Sequence, residues 1–173
     1  MSTSRDRHLT ALVSKHRARG IFLDTNVMLL FIFAVFMPEK IEGSKRLAKY
    51  DREAGHLLVD YVERFDFVIA TPHVLAETSN LARQNVRGKL WTALSEQLFP
   101  LFCSSGSSVV LRSVDLADIK FAAFSALGLT DSVIAATLGD NLLLTDDFDL
   151  FMAVTGRHDA INFTHMREAA GNL

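Results

Sequence analysis

The chain has 173 residues, 49% of them hydrophobic and 22% charged, with a formal net charge of −2. That length suits one domain with a single sizeable core, and that composition is that of a globular protein, not a disordered one. A pI near 6.3 does not advertise a nucleic-acid binder, although acids gathered at a site can mask basic patches elsewhere.

Residues 6 to 19 place Leu9, Leu12 and Val13 on one helical face, with Gly20 as a C-terminal stop. Arg7, Lys15, Arg17 and Arg19 interrupt any signal-peptide apolar run. This segment reads as a basic helical extension, 1–19, ahead of the domain proper, 20–173. A strand at 20–24 then ends abruptly in Asp24-Thr25-Asn26. The helix that follows is apolar all round as far as Met37, and Pro38 ends it. A membrane span needs roughly 20 such residues, so this helix is expected to be buried. It is also more apolar than one small domain needs, so part of it or of the next helix is expected to line a homodimer contact. Ser44 is expected to cap a long helix carrying Leu47, Tyr50, Leu58, Tyr61 and Phe65. Lys45, Arg46 and Lys49 near its start are candidate contacts for an RNA backbone.

Phe67 to Ala70 is a β-branched run and reads as the second strand. Thr71-Pro72 opens a helix, threonine as cap and proline in the first turn, with Glu77 about one turn in. Arg83 and Arg87 come next and are further candidates for phosphate contact. A helix over 88–102 and the low-complexity stretch Ser104–Ser108 precede a third strand at 109–111. Cys103, beside Phe102 and without a basic activator, reads as core; as the single cysteine it excludes an intrachain disulfide and suits a reducing, cytoplasmic setting. Asp115 is expected to begin a helix to about Ala126, stopped by Gly128, and Thr130 to cap the next, with Asp131 in its first turn. Leu142–Leu144 is a fourth strand that runs into Thr145-Asp146-Asp147. A short helix and a fifth strand at 160–163 close the domain. Strands alternating with helices imply an α/β protein, a parallel sheet with helices on both faces.

Four acidic positions stand at the edges of apolar segments: Asp24, Glu77, Asp131 and the cluster Asp146-Asp147-Phe148-Asp149. Each has a plain alternative, since Asp24, Asp131 and Asp147 all fit helix starts and Glu77 could pair with Arg83. Together, converging carboxylates suggest a hard divalent ion such as Mg²⁺ or Mn²⁺, which takes oxygen ligands and keeps several waters. Thr25, Asn26 and Thr145 could orient ligands or water. The histidines show no zinc spacing, and the glycines form no phosphate-cradling pattern.

Phe22-Leu23-Asp24-Thr25-Asn26, Glu77-Thr78-Ser79-Asn80, Leu129-Thr130-Asp131 and Leu144-Thr145-Asp146-Asp147-Phe148-Asp149, in that order, resemble the PIN-domain ribonucleases, including the VapC-type toxins. The resemblance covers about residues 20 to 163. It implies a three-layer α/β/α fold on a five-stranded parallel sheet and Mg²⁺- or Mn²⁺-dependent cleavage of single-stranded RNA, often by a homodimer. It carries over Asp24, Glu77, Asp131 and Asp147 as metal-ligating catalytic acids, Thr145 as the partner of Asp147, and Asp149 as a more variable acid. An antitoxin protein is a partner that such a resemblance would imply; a membrane is not. The basic segment before residue 20 and the enlarged helix pair from Thr25 to Phe65 depart from the toxin pattern. Two other readings are open: a PIN-fold binding module of RNA or protein without strong activity, and a metal-dependent phosphatase of the haloacid-dehalogenase type using Asp147 and Asp149. The phosphatase family places its acid pair after the first strand, whereas here the pair lies near the C-terminus.

Overall fold

Runs of three or four apolar residues, too short for helices and rich in branched side chains, become the strands of one sheet. The computed structural model describes residues 4–104 and 108–170 and contains β1 (Ile21–Leu23), β2 (Val68–Ala70), β3 (Val109–Leu111), β4 (Leu142–Thr145) and β5 (Ala160–Asn162). All pairings are parallel, in the order β3-β2-β1-β4-β5. Every residue of β1, β2 and β4 is buried, as expected of central strands covered on both faces. With this order, the right-handed rule for parallel crossovers puts the helices after β1 and β2 on one face and those after β3 and β4 on the other. The order reverses between β1 and β4, where Phe22 lies beside Leu143 and Leu23 beside Leu144.

The helices are α1 (Ser4–His16), α2 (Thr25–Phe36), α3 (Arg52–Val62), α4 (Pro72–Asn85), α5 (Lys89–Cys103), α6 (Phe121–Thr137), α7 (Phe148–Thr155) and α8 (Phe163–Ala170). Helix α1 is docked: Leu12 is buried, Lys15 and His16 both reach Asp159 (2.6 and 2.7 Å), and Arg17 meets Asp66 at 3.2 Å. Helix α2 is largely buried within the domain. Val27, Met28, Leu29, Leu30, Ile32 and Phe33 are fully buried, and Val35 is its exposed large apolar residue. The buried side chains pack against α3, α4 and β4, while Phe31, Val35 and Phe36 keep some exposure, and α6 packs on α7 across the sheet.

Several local expectations are corrected. Ser44 caps no long helix; it precedes a single 3₁₀ turn at Lys45–Leu47, and α3 starts only at Arg52, capped by Asp51, which accepts from the Ala54 N–H at 2.7 Å. Asp115 likewise caps a 3₁₀ turn, and α6 begins at Phe121. Gly128 (φ 78, ψ 179) does end a helix as expected, so that α6 is two helices meeting at a kink, but no side-chain cap bond is made by Thr130 among the described residues. Cys103 is exposed, not core. The fifth strand stops at Asn162, whose side chain accepts from the His165 N–H at 3.1 Å and so starts α8, an element not expected from the sequence. Residues 105–107 of the serine-rich stretch lie outside the described residues. Among the described residues, no helix is long and apolar enough to cross a membrane.

Gly20 sets the entry to β1. Its φ of +83° suits glycine, and a Cβ there would stand 2.5 Å from the Phe67 ring and 2.9 Å from the Phe67 carbonyl oxygen. Gly20→Ala is expected to lower stability by about 2–3 kcal/mol, combining left-handed strain with overpacking against β2. A thermal melt checks this, and an unchanged midpoint would show that the β1–β2 contact yields.

Candidate active site at the sheet switch point

In an open parallel sheet, the crevice for a ligand opens beyond the carboxyl ends of the strands where their order reverses. Here that point lies between Asp24, which follows β1, and Thr145, which ends β4. Asp24 is nearly buried. Its Oδ1 accepts the Val27 N–H at 2.7 Å, capping α2, while its Oδ2 accepts the Thr145 hydroxyl and, at 2.9 Å, the Asp146 N–H. Burial pushes the Asp24 carboxyl above its ordinary acidity, the bonds from Thr145, Val27 and Asp146 oppose that, and the Asp146 charge adds to it. A carboxylate has about four lone-pair positions, so three bonds leave one acceptor position, on Oδ1.

Thr145 also accepts the Asp147 N–H at 3.0 Å, so one hydroxyl ties the acid of β1 to the acid after β4. Asp147 in turn caps α7 through the Leu150 N–H at 2.9 Å. Thr71 starts α4 by accepting the Val74 N–H, and proline follows it. That helix carries Glu77, whose Oε2 accepts from the Thr25 hydroxyl at 3.2 Å. Asp131 comes from α6, three residues past the break at Gly128. Its carboxyl is pushed up to about 7 by burial first, and then by the charges of Asp24, Asp147 and Glu77. The structure therefore brings all four acids onto one cleft of about 240 Å³, which Thr25, Asn26 and Arg46 also line. Arg46 is held there by Asn26, its Nε donating to the amide oxygen at 2.9 Å.

Other candidates fall elsewhere. Asp149 is exposed and does not line the cleft, which leaves an Asp147–Asp149 nucleophile pair without its geometry. Asp146 turns away: it accepts from Lys49 and Tyr50, and from the Thr164 backbone N–H (3.0 Å) and hydroxyl (2.5 Å) at the start of α8. Lys49 is consequently an ion-pair partner of the fold, not a free phosphate contact. Sequence reading missed this pair; alternation of charge around Tyr50 gave no signal that a residue 97 positions on would meet it. Lys45 is exposed on its 3₁₀ turn, and Arg83 and Arg87 line a separate groove beside Trp91. At the opposite edge of the sheet a cavity of about 210 Å³ collects Lys15, His16, Arg19, Arg157 and His158, but Lys15 and His16 there are bound to Asp159.

Among the described residues, no group of three or more His, Cys, Asp and Glu side chains stands close enough together to hold a metal ion as placed. The donor chemistry nevertheless fits a hard cation. Mg²⁺ retains several waters and needs few protein carboxylates, and the four acids line the same cleft with Leu127 and Leu129 at its α6 wall. Thr145→Val tests the scaffold of the cleft: it leaves Asp24 Oδ2 and the Asp147 N–H short of a partner and is expected to cost about 1–3 kcal/mol. A melt within error of wild type would show that Thr145 is dispensable.

Comparison with protein-family models, with curated proteins and with solved structures gave no match. The functional reading therefore rests on the cleft.

Proposed function

We propose that the chain is a Mg²⁺- or Mn²⁺-dependent endoribonuclease of PIN-like architecture that hydrolyses phosphodiester bonds in single-stranded RNA. The observation that carries this reading is the meeting of Asp24, Glu77, Asp131 and Asp147, from four separate segments, in one cleft at the switch point. Two unit charges about 4 Å apart repel by on the order of 4 kcal/mol at an effective dielectric near 20, so clustered acids must hold protons or a cation. A bound divalent ion would supply an acidified water and neutralise the departing oxygen. Asp131, Glu77, Asp147 and the remaining lone pair on Asp24 are the donors that would hold it. Thr25 fixes the Glu77 carboxylate, and Thr145 fixes Asp24 relative to the backbone of Asp147. Arg46 is the basic side chain on the cleft wall and would meet a phosphate oxygen.

Incubation with unstructured RNAs and with a phosphomonoester, in Mn²⁺ or in EDTA, tests the reading. Internal cleavage of RNA in Mn²⁺ alone, with the monoester untouched, is the expected result. Binding of the ion should also raise the melting point, by the equivalent of about 2.7 kcal/mol at a hundredfold excess over its Kd. Intact RNA together with a melting point indifferent to millimolar Mn²⁺ would sink the proposal.

A further inference from the structure

The groove between the end of α4 and the start of α5 carries chemistry that the cleft does not use. Arg83, Val86, Arg87, Gly88, Trp91 and Thr92 line a space of about 500 Å³. Two guanidinium groups face it and no carboxylate lines it, in a chain whose net charge is −2. Both arginines are exposed, and neither side chain has a protein partner among the described residues. Trp91 heads the buried stripe of Leu94 and Leu98 but is itself only half-buried, so its indole is fixed by the core on one side and open on the other. Gly88, at φ +59°, has nothing within 4 Å of where a Cβ would stand, which keeps the mouth of the groove clear. A rigid aromatic surface flanked by unpaired arginines matches unpaired nucleotides, whose bases stack on the ring while phosphates meet the cations.

We infer that this groove is a stacking subsite for single-stranded RNA, with Trp91 as the base platform and Arg83 and Arg87 as the phosphate contacts. The identity of the occupant rests on the ribonuclease reading. Arg83 lies six residues beyond Glu77, about 9 Å along α4 and a third of a turn around it, so a strand leaving the cleft reaches the groove by crossing that helix. Duplex RNA is too stiff and too stacked to offer a base there.

Trp91 is the single tryptophan of the chain, so its fluorescence reports on this site alone. The wild-type chain in EDTA, where no cleavage is expected, is titrated with unpaired homopolymeric RNA and with duplex RNA. The expected result is saturable quenching by the unpaired strand, little by the duplex, and weaker binding as salt rises. Trp91→Ala should weaken binding about tenfold or more, Trp91→Phe should retain most of it, and Arg83→Ala should lessen the salt dependence. Circular dichroism confirms that each variant is folded. RNA that binds without quenching Trp91, or that binds Trp91→Ala as tightly as wild type, overturns the subsite, and so does a failure to bind unpaired RNA at all. The two readings fail separately. Cleavage with an unresponsive Trp91 removes the subsite alone, whereas quenching with no cleavage in any divalent ion removes the nuclease alone.

Discussion

Asp131→Asn is expected to abolish metal-dependent RNA cleavage and yet to raise the melting point of the metal-free chain at pH 8. The two effects have one cause. Asp131 titrates at about 7 in the folded chain against 3.8 ordinarily, because burial and then the charges of Asp24, Asp147 and Glu77 disfavour its ionised form. A raised acid leaves the fold unpenalised below pH 3.8 and progressively penalised as pH climbs to about 7. Above that the wild type carries the full cost and asparagine carries none. Solvent still reaches the group, so the difference is discounted to the order of 1–2 kcal/mol, or a few degrees for a chain of this length. It should vanish near pH 3.5–4, and millimolar Mn²⁺ should reverse it at pH 8 by stabilising only the wild type. Melts at several pH values, with and without the ion, decide the matter. A variant that is less stable than wild type at pH 8 without metal would show that Asp131 is not under electrostatic strain.

The three acids after β4 should separate by role. Asp147→Asn keeps the cap on α7, since an asparagine side chain accepts the Leu150 N–H as well as aspartate does. It is therefore expected to hold its melting point while losing more than about a hundredfold in cleavage, the several kcal/mol that an acid on the ion contributes. Asp149→Asn, outside the cleft, should cleave at close to the wild-type rate. Asp146→Asn should retain the cleft but melt lower, by about 1–3 kcal/mol, because it weakens the clasp of Lys49, Tyr50 and Thr164 on a side chain that is 1% exposed. Burial raises the Asp146 carboxyl, but bonds from Lys49, Thr164 and Tyr50 outweigh it and hold it below its ordinary value. Its contribution is thus present above pH 3.8 and fades as pH falls through the lower folded value, so wild type and variant should converge in acid. An Asp149→Asn chain that is inactive beside an active Asp147→Asn chain would invert the assignment.

The sheet was legible in the sequence because its central strands are short apolar runs cut off by polar residues, and the cut-off itself marks the carboxyl edge. Asp24 after Leu23 and Thr145 after Leu144 announced the switch point for that reason. What failed were starts of helices on the surface. Ser44 and Asp51 are both good caps with suitable residues following, and only packing decides that the chain spends one 3₁₀ turn before α3. Asp115 misled in the same way. Long-range partners left no local trace either: Lys49 and Asp146 find each other through the fold. The apolar excess of α2 was read correctly as burial, with Val27 to Leu30, Ile32 and Phe33 fully enclosed. Asn162 before Phe163 was a usable cap signal for α8 that the strand pattern overshadowed.

The double employment of Asp24 bears on the choice of control. The obvious inactive variant, Asp24→Asn, would turn an amide nitrogen toward either the Val27 N–H on one side or the Thr145 hydroxyl and the Asp146 N–H on the other. Donor would then face donor inside the domain, at the hinge between β1, α2 and β4. A silent assay with that chain would report a disturbed scaffold as readily as a missing ligand. Asp131 and Asp147, which can lose a charge without losing a structural bond, are the positions at which a dead protein is still the same protein.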